Sequence, residues 1–417
     1  QKSFQKTWKE QAKEYLADPL DPNKKIPYLQ DPYTGEAPTA YSKVRDMARD
    51  VIYFKMLNNP VTHAKVLTSN TVMSNYNVMN GWIGAKFMAT LPWTKEGISK
   101  QEWQRAGDFW QRVGASYGTF GAIANKEALK ALKSGESDLQ THFERFGKSA
   151  FSMERTGLSG PLGATLENVG RGVDMPGASM AALDVRTRLN LAHAMTRAKA
   201  EIDYQKAVEK GEQVGTFQEY YNKFVGQVFT ESKGKLMTED QVRRKAVLMA
   251  DKEGVAPENL ASYMDNFVKQ NWNKDISEFV NYIQRNLKEV TFTEEIGEFA
   301  DPNVLEKGNY FIEQFIRTYP LLNVVLNPFM RTGRNIQRGA AAVTSPLLSL
   351  SRSIDKIPGA NKIPGIKDVP RVAERLWTKT AKDLASDDPI VAARARGQQI
   401  SSVGILLTAY GLAEGVD

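Results

Sequence analysis

The stretch KDISEFVNYIQRNLKE, residues 274–289, decides the class of fold. Its apolar residues recur at i, i+3, i+4, i+7 and i+11, which is the spacing of one buried face on an α-helix; they are Ile276, Phe279, Val280, Ile283 and Leu287. A second long helical pattern covers about residues 178–210, and no segment alternates apolar and polar residues for long. We therefore predict an all-α protein, an elongated or multi-lobed bundle of several helices with Pro/Gly-rich loops and no significant sheet.

Proline and glycine divide the chain into predicted units. Five prolines between Pro19 and Pro38 exclude a long regular element there, and six glycines with two prolines between Gly157 and Gly177 predict a loop or hinge. The predicted units are an N-terminal arm at 1–40, a helical subdomain at 41–156, a Gly-rich hinge at 157–177, a helical subdomain at 178–300, and a basic C-terminal helical region at 301–417 with a Pro/Gly loop at 352–370.

The charge of the chain is uneven. Lys and Arg exceed Asp and Glu by 7; residues 331–396 hold 13 basic and 6 acidic residues, which leaves 42 of each elsewhere. Such a cluster favours contact with DNA phosphates or anionic lipid, although a solvated face beside a partner explains it equally well. The candidate DNA or lipid contacts are Arg331, Arg334, Arg338, Arg352, Lys356, Lys362, Lys367, Arg371 and Arg375.

Two stretches are apolar and rich in small residues, at 78–93 and 400–413. The second would form a helix of about 21 Å, shorter than the roughly 30 Å of membrane hydrocarbon. It is interpreted first as a core helix, with an interfacial helix or the start of a longer span as alternatives. The candidate membrane-facing residues in the two stretches are Trp82, Ile83, Phe87, Trp93, Ile405, Leu406 and Leu407.

The residues that carry enzyme chemistry are sparse. The chain has no cysteine, and its three histidines, His63, His142 and His193, lack the spacing of a zinc site. The Glu-Ser pairs at Glu136 and Glu231 resemble the catalytic start of lytic transglycosylases, but the partner motif of that family does not follow either pair. We predict no catalytic residue, no cofactor and no metal, and hence a protein that is not an enzyme.

Four stretches together resemble a helical region of very large phage proteins, including the internal virion, or ejection, proteins of short-tailed bacteriophages. Order and spacing agree over about 360 residues, with Gly333 standing where that family has proline. The four stretches are LNNPVTHAKVLTSNTV at 57–72, MPGASMAALDVRTRLNLAHAMTRAKAEI at 175–202, VTFTEEIGEF at 290–299 with NPFMRTGRNIQRGAAAVTSP at 327–346, and GQQISSVGILLTAYGLAEG at 397–415.

The resemblance implies a virion component stored in the capsid near the portal, released with the genome, and then helping to form a DNA conduit across the host cell envelope. The implied partners are other internal virion proteins, the portal, further copies of the chain, phage DNA, and the host membrane after ejection. Because the chain reads as part of a longer protein, an alternative is an architectural region that positions a muralytic or polymerase module elsewhere in that protein.

Overall fold

The computed structural model describes residues 60–91, 97–134, 158–291 and 378–414, with seven isolated positions between residues 47 and 156. In these segments the chain forms ten α-helices, and one antiparallel bridge joins Phe229 to Leu236. The prediction of an all-α fold is therefore confirmed. The helices are α1 (Pro60–Thr90), α2 (Lys100–Ser116), α3 (Gly121–Ser134), α4 (Gly160–Glu209), α5 (Phe217–Val228), α6 (Glu239–Lys252), α7 (Leu260–Asn271), α8 (Lys274–Val290), α9 (Thr378–Ala385) and α10 (Pro389–Glu414), with a 3-10 turn at Pro257–Asn259 before α7.

Reciprocal side-chain caps fix the starts of several helices. At α2, Ser99 Oγ accepts a hydrogen bond from the backbone N–H of Glu102, and the Glu102 carboxylate accepts one from the backbone N–H of Ser99 at 2.7 Å. Such a capping box satisfies two N–H groups that the first turn of a helix leaves without partners. The same arrangement begins α5 and α6, with Thr216 and Glu219, and Thr238 and Gln241.

The main core is built where α1, α2, α4, α8 and α10 meet. All five apolar positions of the predicted α8 face are buried. Trp103, Phe109 and Trp110 of α2 are also buried, at positions i, i+6 and i+7 of the helix. One continuous cluster of buried residues contains side chains from both predicted helical subdomains and from α10.

The predicted loop at 157–177 is wrong from residue 160 onward, because these residues form the first third of α4. Pro176 lies inside the helix. Its ring would press on the carbonyl of Gly172, four residues earlier, and Gly172 is exposed, so water can bind that carbonyl. Three of the six glycines recur every seven residues, which places them on one helix face, and all three are buried; they are Gly163, Gly170 and Gly177.

The predicted arm at 1–40 and the Pro/Gly loop at 352–370 lie outside the described residues, and the division into subdomains stays a prediction.

Candidate functional site: an inside-out helix pair and a charged cluster

The two helices that contain the predicted apolar stretches, α1 and α10, pack directly against each other. They cross at glycines: a Cβ on Gly84 would collide with the backbone of Ala393, and a Cβ on Gly397 would collide with the backbone of Asn80. Without side chains at these two positions, the two backbones come into direct contact. Crossings of this kind, at Gly and Ala, are common between helices in membranes.

The face of α1 that is turned inward carries polar side chains. Asn70, Ser74, Asn77 and Asn80 are all buried, at positions i, i+4, i+7 and i+10 of the helix. Asn80 Oδ1 accepts a hydrogen bond from Ser401 Oγ of α10 at 2.6 Å, and Asn70 Nδ2 donates one to Asp184 of α4. The buried side of α1 from Asn70 to Asn80 therefore carries hydrogen-bonding side chains, and Ala85, Met88 and Ala89 continue it toward the end of the helix.

Large apolar side chains of α1 point outward instead. Val72 is 57% exposed, Met79 54%, Trp82 42% and Phe87 48%, and Val403 of α10 is also exposed. A helix in a water-soluble core has the opposite arrangement, with apolar residues inward and polar residues outward. We call α1 and α10 the inside-out pair. No helix in the described segments is both long enough and apolar enough to cross a membrane.

A cluster of charged side chains joins α8 to the start of α10 and to α9; its members, named here the charged cluster, are Arg285, Glu289, Lys379, Asp383 and Arg394. Only 4% of the Arg394 side chain is exposed, and its guanidinium donates hydrogen bonds to Glu289 Oε2 at 2.9 Å and to Asp383 Oδ2 at 3.1 Å. The same guanidinium also donates to Asn286 Oδ1 at 2.7 Å.

Two more cations complete the charged cluster. Arg285 pairs with Asp383 Oδ1 at 2.8 Å, and Lys379 pairs with Glu289 Oε2 at 3.0 Å. The ring of Tyr282, which is buried, lies under both arginines, with its centroid 5.3 Å from Arg285 Cζ and 5.9 Å from Arg394 Cζ. Each carboxylate thus contacts two cations, and the aromatic ring adds a cation–π contact to each arginine.

The electrostatics of the charged cluster favour its ionised form. Burial alone would raise the pKa of Glu289, but the adjacent Arg394 and Lys379 outweigh burial and hold that pKa well below its usual range. Burial would likewise lower the pKa of Arg394, yet Glu289 and the other acidic neighbours raise it. Burial raises the pKa of the Tyr282 hydroxyl, so the ring stays neutral. Glu289 and Arg394 therefore stay ionised across the physiological pH range.

A second buried carboxylate lies between α1 and α4. Asp184 Oδ1 accepts the hydrogen bond from Asn70 Nδ2 at 2.7 Å, and Arg188 lies one helical turn further along α4. Burial raises the pKa of Asp184 to about 6, although Arg188 and the Asn70 amide act in the opposite direction. Arg188 itself donates to Thr291 Oγ1 at the end of α8.

His193 is a packing residue of α4. Its imidazole is stacked between the rings of Phe120 and Phe229, with centroids 5.2 and 4.0 Å away, and Nε2 lies 2.9 Å from the carbonyl oxygen of Lys233. Burial lowers the pKa of His193 to about 4. Of the other two histidines, His63 is half-buried and His142 lies outside the described residues.

The structure places only some of the predicted site residues. Trp82 and Phe87 lie on the outer face of α1 and Ile83 is half-buried, whereas Trp93 lies outside the described residues. Ile405, Leu406 and Leu407 belong to α10, but their side chains are outside the described part. All nine basic candidates, from Arg331 to Arg375, also lie outside it.

The acidic residues considered for catalysis do not come together. Glu231 is exposed in the turn that follows α5, and Glu136 lies outside the described residues. In the described segments, no group of three or more His, Asp or Glu side chains is arranged to hold a metal ion.

Comparison of the chain with protein-family models, with curated proteins and with solved structures finds no match. The resemblance to phage ejection proteins therefore stays a prediction from the sequence.

Proposed function

We propose that this chain is an internal virion protein of a short-tailed phage, released with the genome, and that it helps to form a DNA conduit across the host cell envelope. The observation that carries the proposal is the inside-out pair. Val72, Met79, Trp82 and Phe87 of α1 and Val403 of α10 are exposed, whereas the glycines of the crossing and the polar residues from Asn70 to Asn80 are buried. In lipid this arrangement is favourable, since the apolar face meets hydrocarbon while the small residues keep the two helices in contact.

The aromatic residues of α1 suit a membrane surface. Trp82 and Phe87 are each close to half exposed, and Lys86 lies between them in sequence with 46% of its side chain exposed. Tryptophan rings and lysine stems partition to the boundary between headgroups and hydrocarbon. The pair would therefore lie in the interface, or assemble with further copies, rather than cross the bilayer as a single helix.

Liposome flotation tests the membrane part of the proposal. The chain is mixed with phosphatidylcholine vesicles, with and without anionic lipid, and floated on a density gradient. We expect the unaltered chain to float, and the variant carrying Met79→Ser, Trp82→Ser and Phe87→Ser to remain in the aqueous fraction. Leu248→Ser is the matched control, because Leu248 is 65% exposed but lies on α6, away from the pair. An unaltered chain that never floats would contradict membrane contact.

Testing whether the chain is an ejected virion protein requires phage particles. Cryo-electron microscopy of intact and of ejected particles, classified locally at the portal vertex, compares the density for this chain before and after ejection. We expect density inside the capsid near the portal in intact particles and its loss after ejection. Density that persists in the tail or shell would contradict an ejected protein.

The second candidate function is an architectural region that positions an enzyme module elsewhere in the parent protein. The charged cluster favours it, because buried ion pairs with defined geometry can fix the orientation of helices. This candidate predicts that the unaltered chain does not float with vesicles and that the parent protein carries catalytic motifs outside these 417 residues.

A further inference from the structure

The attachment of α8 to the α9–α10 segment differs in kind from the contacts that α10 makes with α1 and α2. The backbones of α1 and α10 touch at glycines, and α10 also packs closely on α2. By contrast, the backbones of α8 and of α9–α10 scarcely approach each other. The long side chains of the charged cluster span that gap, with Glu289 on α8 and Asp383 and Arg394 on the other side.

From this difference we propose that the charged cluster is a latch: it fastens the α9–α10 segment to α8, and it opens while the glycine crossing of α1 and α10 stays closed. The two contacts differ in what holds them together. Ion pairs gain little net free energy from burial, because removing the charges from water costs about as much as the pairing returns. The glycine crossing depends on close van der Waals contact, which persists in lipid.

Arg394 is the centre of the latch. It is the one side chain that contacts both carboxylates of the charged cluster, while Arg285 and Lys379 each contact one of them. Removing Arg394 therefore disconnects α10 from both Glu289 and Asp383. It also leaves Asn286 Oδ1 without the guanidinium that now donates to it. Methionine at this position keeps an apolar stem of similar length without the charge.

Hydrogen exchange measured on the full chain tests the latch. In Arg394→Met we expect amides of α9 to exchange on the order of 100- to 1000-fold faster, as for a buried ion pair that has lost one partner. Amides of α4 between Val185 and Ile202 should keep their protection. Arg243→Met is the matched control, since Arg243 forms an ion pair with Glu239 on the solvent side of α6.

A uniform acceleration through α4, α9 and α10 would overturn the proposal, because the charged cluster would then belong to the cooperative core. An unchanged rate in α9 would overturn it as well. Glu289→Gln covers the case in which Arg394→Met does not fold. It removes one charge, keeps the shape of the side chain, and should give a smaller acceleration with the same distribution along the chain.

A disulfide across the glycine crossing tests whether the pair stays closed. The chain has no cysteine of its own, so Asn80→Cys with Ser401→Cys introduces a single bridge between side chains that now hydrogen-bond at 2.6 Å. With Arg394→Met present, the bridged chain should show the same acceleration in α9 as the reduced chain. Loss of that acceleration on bridging would mean that α10 must leave α1, which contradicts the latch as proposed.

The consequence for lipid rests on the proposed function. If the latch normally restrains the inside-out pair, Arg394→Met should float with vesicles at a several-fold lower lipid concentration than the unaltered chain. Faster exchange in α9 without any gain in flotation would support the latch but contradict the proposed membrane role. The two ideas therefore fail separately.

Discussion

Replacing Asp184 by asparagine is expected to stabilise the protein at neutral pH. Asp184 is buried between α1 and α4, where the amide of Asn70 donates a hydrogen bond to it and Arg188 supplies a positive charge nearby. Asparagine has nearly the same size, and its side-chain oxygen can accept the same hydrogen bond from Asn70. The substitution removes the charge and leaves the packing in place.

The magnitude follows from the pKa of the carboxyl group. Burial raises the pKa of Asp184 from 3.8 to about 6, so the folded state binds the proton more tightly than the unfolded state does. Its contribution to stability is fully present below pH 3.8 and is lost as the pH rises through about 6. At pH 7.5 the loss amounts to about 3 kcal/mol, at roughly 1.4 kcal/mol for each pH unit.

Urea unfolding of both proteins between pH 4.5 and 7.5 measures the effect. We expect Asp184→Asn to raise the free energy of unfolding by up to about 3 kcal/mol at the upper end, and the difference between the two proteins to shrink toward pH 4.5. Asp203→Asn, which removes an ion pair with Lys199 on the same helix, is the control and should change stability by about 0.5 kcal/mol or less. A variant that is less stable by the same amount at every pH would refute the reasoning, since attraction to Arg188 would then outweigh burial.

Two further predictions concern the packing of single residues. Gly397→Ala should destabilise the protein by more than about 2 kcal/mol in urea unfolding, because the new methyl group meets the backbone of Asn80; Gly226→Ala, which meets nothing within 4 Å in α5, should instead stabilise it by up to about 1 kcal/mol. The imidazole of His193 should stay neutral in an NMR titration down to about pH 5, because burial lowers its pKa to about 4; a midpoint near the ordinary value of 6.5 would show that the stack with Phe229 opens readily.

Sequence periodicity predicts those helices that have one apolar face. The α8 stripe from Ile276 to Leu287 is buried as predicted, and the burial of Trp103 and Trp110 on α2 follows from the same rule. The start of α2 can also be recognised in the sequence, because Ser99 followed by Glu102 is the signature of a capping box. These features depend on residues within a few turns of one another, which is the range over which sequence patterns carry information.

The inside-out pair depends on information that is not local. Apolar residues occur on all sides of α1, so the periodicity of its sequence does not identify the buried side. The polar residues Asn70, Ser74, Asn77 and Asn80 do share one face, but that pattern alone indicates a solvent-facing side. The face is buried because its Asn80 end lies against α10, whose backbone Gly84 admits from more than 300 residues further along the chain, and its Asn70 end lies against α4. Three glycines of 157–177 mislead for a related reason, since Gly163, Gly170 and Gly177 form a buried face of a helix and not a turn.

The structure also shows that some of the positive charge counted in the C-terminal region is already neutralised by acidic side chains. Among the basic residues of 331–396, Lys379 and Arg394 belong to the charged cluster, where acidic side chains already neutralise them. They therefore cannot contribute to attraction of DNA phosphates without opening the latch. The nine basic residues from Arg331 to Arg375 are accompanied by three acidic ones, so the excess that could draw DNA or anionic lipid lies there. If that region binds DNA, its affinity must fall with salt in proportion to the phosphates it contacts, whereas the charged cluster, shielded from solvent, should respond little to salt.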